Sequence, residues 1–282
     1  MITVVLPAKN ESGTIGCTVR SIFQHCPRAE VIVVNDGSID QTATVASAAG
    51  ATVINHPYSK GNGAAIKTGA LAATGTIIVF MDADGQHDPS YIPLLLKRLE
   101  EGHDMVVGAR QAGSQASLGR GLANRFYNLL ATYMTGHKVE DLTSGFRAVR
   151  TDKFREFLYL LPNGFSYPTT STMAFFRAGY SVAYVPIHAA QRIGKSHIKP
   201  LQDGMRFLLI IFKIGTLYSP LKLFAPIAAL AFVLASLWYG YTLSTAGRFT
   251  NMSALLYTGS VMIFLMGLIS EQITALMYKD RD

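Results

Sequence analysis

The sequence predicts an α/β protein: a mostly parallel, doubly wound sheet over residues 1–199, an amphipathic helix over 200–221, and a transmembrane hairpin over 222–282. Three observations predict it. Short β-branched runs alternate with helical stretches through the first two hundred residues. Polar motifs follow three of those runs, at the carboxyl ends where such sheets bind ligands. Residues 223–247 and 249–270 carry no charge, and each run is long enough to cross a hydrocarbon core of ~30 Å as a helix.

The elements follow in order. Strands are expected over 2–7, 30–35, 52–55, 76–81 and 104–108, with helices over 13–25, 41–49, 63–73 and 90–101 between and after them. A helix over 119–135 and strands over 145–150 and 182–187 complete the α/β part. The stretch 191–199 is basic and contains glycine, and it reads as a mobile loop. Residues 200–217 mix Arg206 and Lys213 with Phe207, Leu208, Leu209, Ile210, Ile211 and Phe212, which suits a helix lying on a membrane surface. Two spans follow, near 223–245 and 254–277. Trp238, Tyr239 and Tyr241 form an interfacial belt.

Charge places the ends. The net charge is +7. From Val185 onward nine Lys or Arg face four acids, so most of the excess is juxtamembrane. Lys and Arg crowd before the first span and after the second, and the joining loop holds only Arg248. The positive-inside rule then puts the α/β domain and the C-terminus in the cytoplasm, at the bacterial inner membrane or, in a eukaryote, the endoplasmic reticulum. Such a tail suits anionic head groups, and no aromatic-plus-basic RNA motif is present, so nucleic acid is not an expected partner. Cys17 and Cys26 have no metal-ligand spacing and read as free thiols. No basic region or cleavage site precedes Ile2, so no signal peptide is expected.

Three motifs carry chemistry. Asp82-Ala83-Asp84-Gly85-Gln86 follows an apolar strand. If the chain stays extended, alternation puts Asp82, Asp84 and Gln86 on one side. Hard oxygen donors of this kind suit Mg²⁺ or Mn²⁺, and a helix cap near Pro89 meets the same pattern. An EF-hand loop is excluded, because His87 stands where its glycine belongs and Pro93 where its glutamate belongs. Asn35-Asp36-Gly37-Ser38, with Asp40 and Thr42 beyond it, reads as a turn with a helix cap, or as a nucleoside contact through Asp36. Lys60-Gly61-Asn62-Gly63 is not a phosphate-binding loop of the Walker type, since Ile66 occupies the second glycine position. A glycine-rich helix start that admits a nucleotide remains open.

Taken in order, these motifs resemble a known family. To them are added Pro7-Ala8-Lys9-Asn10-Glu11, Gly108-Ala109-Arg110, Asp141-Leu142-Thr143-Ser144-Gly145-Phe146-Arg147 and Arg192-Ile193-Gly194-Lys195-Ser196. In the hairpin, Gly267-Leu268-Ile269-Ser270-Glu271 resembles the family's Gly-x-x-Gly-Glu. The series is similar to inverting glycosyltransferases of family 2 with the Rossmann-like GT-A fold, above all dolichol-phosphate mannose synthases and bacterial polyisoprenyl-phosphate glycosyltransferases. The resemblance implies transfer of one sugar from GDP-mannose or a UDP-sugar to polyprenyl phosphate. It assigns Pro7, Ala8, Asn10, Glu11, Asp36, Asn62, Asp82, Ala83 and Asp84 to the nucleotide sugar. Asp84 and Gln86, with Asp82, would hold Mg²⁺ or Mn²⁺. Arg110 and Arg125 would bind the lipid phosphate together with Ser196, while Arg192 and Lys195 close over the donor phosphates. Asp84, Arg110, Arg125 and Arg192 are the catalytic candidates.

The sequence departs from the family in two places. His197 follows the loop serine where many members have Lys, with Lys199 nearby. Ser166-Tyr167-Pro168-Thr169-Thr170-Ser171 lacks the acid that related members often carry. Glu271 is read as structural or as a subunit contact, and His87 as a neighbour of the metal ligands. A processive synthase is disfavoured, because no Gln-x-x-Arg-Trp occurs and the one tryptophan lies within a span. A non-catalytic scaffold is disfavoured by the retained Asp82, Asp84, Gln86 and Arg192. Donor sugar, nucleotide base, lipid length and oligomeric state, a homo-oligomer included, stay open.

Overall fold

Apolar runs such as Glu30–Asn35 are buried along almost their whole length, as expected of strands covered by helices on both faces. In the computed structural model, which describes residues 1–111, 118–164, 166–188, 212, 216 and 219–279 (backbone alone at 118–124 and 277–279), these runs form one seven-stranded sheet. The chain runs β1 (Ile2–Ala8), α1 (Ile15–His25), β2 (Glu30–Asn35), α2 (Thr42–Ala48), β3 (Thr52–Asn55), α3 (Asn62–Ala72) and β4 (Ile77–Phe80). It continues through α4 (Ile92–Glu100), β5 (Met105–Arg110), α5 (Leu118–Thr135), β6 (Arg147–Arg150), α6 (Thr151–Arg155), α7 (Tyr167–Arg177) and β7 (Val182–Ile187).

The strand order is β3-β2-β1-β4-β6-β5-β7. Only β6 is antiparallel to its neighbours. Strand order reverses between β1 and β4, which pair directly. The loops leaving their carboxyl ends therefore flank the crevice where doubly wound sheets bind ligands. Those loops are residues 9–14 and 82–88, and they touch: Thr14 Oγ1 donates to Ala83 O at 2.8 Å.

Two expectations are corrected. The chain does not stay extended past β4. It turns over Ala83–Gly85, with Gly85 at φ +74, so a turn and not strand alternation arranges Asp82, Asp84 and Gln86. Helix α7 is absent from the sequence reading. Pro168 in its first turn and Gly179 at φ +77 just past its end mark it by ordinary helix punctuation.

The C-terminal unit is separate from the sheet unit. It contains α8 (Pro220–Ala246) and α9 (Asn251–Lys279), both long and apolar enough to cross a membrane, with mean hydropathies of 2.0 and 1.9. They extend slightly beyond the expected spans. The amphipathic helix expected over 200–221 lies largely outside the described residues.

Polar atoms join the two helices. Ser260 Oγ donates to Ala228 O at 3.1 Å, and Tyr257 OH donates to Ser236 Oγ at 3.0 Å. Glu271 Oε2 accepts from Leu221 N at 3.2 Å. The α9 carboxylate thus caps the first turn of α8, where helical N–H groups lack partners, and this is the structural duty expected of Glu271. A Cβ on Gly267 would stand 2.7 Å from Phe224 Cβ, so glycine there permits close helix packing. Gly267→Val should lower the melting temperature of the detergent-solubilised protein by several degrees, measured by the loss of helical circular dichroism. An unchanged melt would show that the helices do not need this close approach.

Candidate active site

The first wall of the site is built from β1 and β2. Asn10 sits at φ +57, a left-handed conformation that asparagine tolerates. There it exchanges hydrogen bonds with the loop after β2: its N–H donates to Ser38 Oγ, and its Oδ1 accepts from Ile39 N, both at 2.9 Å. Glu11 N donates to Thr42 Oγ1. Asp40 accepts from Ser12 N and Thr42 N. Burial alone would raise its pKa, but the hydrogen bonds from Thr42 and Ser12 together outweigh it and hold the carboxyl down at about 2. Asp40 therefore latches the two loops together.

Asp36 is 4% exposed, and protein donors surround its carboxylate. Oδ1 accepts from His56 at 2.8 Å and from Lys60 N at 2.7 Å. Oδ2 accepts from Ser59 Oγ at 2.8 Å and from Gly61 N at 2.9 Å. A carboxylate offers about four acceptor positions, and these bonds use them. Asp36 thus clamps the 56–61 segment against β2 and does not present an open acceptor to a nucleoside. Burial alone would raise its pKa. The bonds from His56, Lys60 N, Ser59 and Gly61 N reverse that and bring it to about 2.

Helix α3 begins in the glycine-rich stretch, and its first N–H groups are already engaged. Gly63 N donates to Gly164 O and Ala64 N to Asn163 O. The glycines admit the 162–164 loop, which approaches too closely for any side chain at 61 or 63. The Asn62 side chain is exposed.

The second wall follows β4 and β5. Asp84 Oδ1 accepts from Gln86 N at 3.1 Å, which fixes the acidic turn. Arg110, at the end of β5, grips Asp141 as a fork: Nε to Oδ2 at 2.8 Å and Nη2 to Oδ1 at 2.9 Å. Nη2 also donates to Thr143 Oγ1. The two N–H groups of Nη1 make no hydrogen bond among the described residues. Asp141 further accepts from the N–H groups of Arg110, Thr143 and Ser144. Burial would raise the Asp141 pKa, but Arg110 and these amides lower it. Asn128 on α5 binds Leu142 N and Glu140 O. Arg125, three residues earlier, shares that helical face and is exposed.

Asp82 lies between the walls. A Cβ on Gly145 would meet its Oδ2 at 2.7 Å, so only glycine lets the chain pass here. His87 stacks on Phe146 with ring centroids 5.2 Å apart, and its Nδ1 is 4.0 Å from Asp82 Oδ2. Burial pulls the His87 pKa down to about 4 against the opposing pull of Asp84, so the ring is neutral near pH 7.

Among the described residues no group of three or more His, Cys, Asp or Glu side chains is placed to hold an ion alone. Asp82, Asp84 and Gln86 offer a few hard oxygens. That fits Mg²⁺ or Mn²⁺, which take one or two carboxylates and fill the rest with phosphate oxygens and water. Arg192, Lys195 and Ser196 lie outside the described residues. Sequence reasoning missed the clamp partner His56, and it named Arg147 only as the end of the 141–147 motif, without a role. An acidic residue followed twenty positions later by an isolated histidine gives no periodic signal.

Geometry and sequence together define an α/β nucleotide-sugar transferase with a membrane hairpin. Glycosyl transferase family 2 matches residues 3–158, and the GtrB C-terminal hairpin matches residues 219–276. The chain belongs to glycosyl transferase family 2. A dolichyl-phosphate hexose transferase of Haloferax volcanii is 31% identical, over 72% of this chain and 89% of that one. An undecaprenyl-phosphate 4-deoxy-4-formamido-L-arabinose transferase of Pseudomonas aeruginosa is 28% identical, over 99% of this chain and 86% of that one. The solved glucosyl-3-phosphoglycerate synthase from Mycobacterium tuberculosis, in complex with Mn²⁺ and UDP-glucose, superposes with a TM-score of 0.55 at 27% identity, covering 74% of this chain and 76% of that one.

The Asp36 clamp predicts an acid-sensitive wall. Its folded pKa of about 2 lies below the ordinary 3.8. Its stabilisation is therefore complete above pH ~4 and is lost as pH falls toward 2. Chemical denaturation at pH 5 and pH 2 should show wild type losing about 2 kcal/mol more than Asp36→Asn over that interval. Equal losses in the two proteins would show that the clamp adds no proton-linked stability.

Proposed function

We propose that this membrane-associated family 2 glycosyltransferase moves one sugar from a nucleotide-sugar donor to a polyprenyl phosphate at the cytoplasmic face of the membrane, inverting the anomeric carbon. The observation that carries the reading is the union of two parts in one chain. An acidic turn stands at the switch point of the sheet, with Asp82 in the field of a forked arginine, and a GtrB-type hairpin follows at 219–276. The similarity to polyprenyl-phosphate transferases supports the acceptor, and the Mn²⁺-bound solved relative supports a divalent ion. The proposed organisation is a catalytic domain over 1–199, a surface helix over 200–221 and the hairpin over 222–282.

The chemistry is a single displacement. An oxygen of the lipid phosphate bonds to the anomeric carbon while the bond to the nucleoside diphosphate breaks. A phosphate with a second pKa near ~6 is already anionic at neutral pH, so attack needs no strong base. Arg110 offers Nη1 to the acceptor phosphate and keeps its orientation through Asp141, and Arg125 adds a second cation. Asp82, Asp84 and Gln86 would hold the ion whose charge offsets that growing on the leaving diphosphate. Pro7, Ala8, Asn10, Glu11, Asn62 and Ala83 shape the donor pocket, and Asp36 fixes its wall. Arg192, Lys195 and Ser196 supply further donors to the phosphates. The hairpin keeps this site where an insoluble polyprenol presents its head group.

The test is turnover of GDP- and UDP-sugars with Mn²⁺ and a short polyprenyl phosphate, with the anomeric configuration of the product read by NMR. Chelation should abolish activity and added Mn²⁺ restore it. Asp84→Ala should lower kcat/KM by at least ~10²-fold while leaving the fold intact. Full turnover by folded Asp84→Ala would overturn the assignment.

A further inference from the structure

Arg147 is the largest fully buried side chain in the sheet unit, at 0% exposure. A guanidinium stays protonated in proteins, so this is a charge removed from water. Such a charge is ordinarily paired. Here no carboxylate reaches it among the described residues, and its partners are neutral. Nη1 donates to Pro168 O at 2.9 Å, to Ser171 Oγ at 2.8 Å and to Thr172 Oγ1 at 3.2 Å. Nη2 donates to Ser144 O. The guanidinium lies 5.6 Å from the centre of the Tyr167 ring, and its Nε has no hydrogen-bond partner among the described residues.

These contacts join two segments that no strand or helix joins otherwise. One is the first two turns of α7, through Pro168, Ser171 and Thr172, and the other is the Ser144–Gly145 backbone. Tyr167 OH makes a second tie, donating to Gly145 O at 2.9 Å. Gly145 in turn lies against the Asp82 carboxylate. Burial pushes the Tyr167 phenol above its ordinary pKa, and Asp82 adds to the rise, so the hydroxyl keeps the proton it donates. Asp141 and Asp82 are the acids whose field reaches Arg147. Asp82 belongs to the donor site, and Asp141 orients Arg110.

We propose that Arg147 is a positioning residue for the donor site, a buried cation that bolts the first two turns of α7 to the Ser144–Gly145 backbone and so sets the height of the floor under Asp82. The inference rests on the reading of residues 82–86 as the donor site. A side chain kept only for packing would be cheaper as an apolar residue of similar volume, because the desolvated charge is itself costly. The cation is retained because its fork reaches both segments at once, which neither lysine nor methionine reproduces.

The test uses the full-length protein in detergent with two variants, Arg147→Lys and Tyr167→Phe. Circular dichroism checks that each is folded. Affinity for Mn²⁺ with UDP or GDP is measured by calorimetry, without turnover, and kcat and KM for each substrate are then measured. Arg147→Lys keeps the charge and loses the fork. It should weaken metal–nucleotide binding and lower kcat by up to ~10²-fold, the scale of an ångström-sized misplacement, with KM for polyprenyl phosphate within about 2-fold. Tyr167→Phe removes one tie and should lower kcat by about tenfold, again with the acceptor KM unmoved. Wild-type donor affinity and kcat in a folded variant would overturn the proposal. So would parallel losses for donor and acceptor that track lost stability. If Arg147→Lys does not fold, Tyr167→Phe decides by the same readouts. Failure of wild type to bind either nucleotide with Mn²⁺ would overturn the donor-site reading, and this inference with it.

Discussion

Loops that leave a sheet carry backbone N–H groups that neither strand nor helix serves, and each one buried without an acceptor is costly. In this chain carboxylates meet that need, and the site depends on it. Asp36 accepts from the N–H groups of Lys60 and Gly61, Asp40 from those of Ser12 and Thr42, and Asp141 from those of Arg110, Thr143 and Ser144. Each acid converts an irregular loop into a fixed one. The walls are therefore preorganised, which is what charge stabilisation in a transition state requires.

That constraint sorts the acids by duty. Acids near a crevice invite assignment to substrate or metal, yet Asp36, Asp40 and Asp141 are committed largely to holding the chain. Asp84 accepts an amide hydrogen bond within its own turn, and Asp82 lies against Gly145. The same distinction separates the two arginines. Arg110 spends Nε and Nη2 on orientation and keeps Nη1, whereas Arg147 spends both ends of its fork inside the protein.

Much of this was legible in the sequence, for identifiable reasons. Strands β2, β3 and β7 fall where the β-branched runs put them, because strands covered on both faces need continuous apolar residues. The hairpin is legible because uncharged runs of that length have few other uses. Helix α7 escaped because Tyr167-Pro168-Thr169-Thr170-Ser171-Thr172 has poor helix propensity. Tertiary burial of nearly the whole helix, and Arg147 donating to its hydroxyls and to Pro168 O, make up the deficit. The turn at residues 83–85 escaped because a period-two argument holds only while the chain stays extended. The reach of Asp36 to His56, and of Arg110 to Asp141, depends on strand order, which spacing along the chain does not encode.

The charges of the assembled site make a final argument for the ion. Asp82, Asp84 and Asp141 bring three negative charges, Arg110 and Arg147 bring two positive ones, and His87 is neutral. The acidic turn itself is thus negative before any donor arrives, and a nucleoside diphosphate adds more negative charge. Two like-charged bodies at close range in a partly dry crevice repel by several kcal/mol at an effective dielectric of about 20. A divalent cation between the acidic turn and the diphosphate reverses the sign of that interaction. On the proposed reading, the acidic turn is a poor diphosphate site by itself and a good one with Mg²⁺ or Mn²⁺, and donor binding and ion binding should be coupled through Asp82 and Asp84.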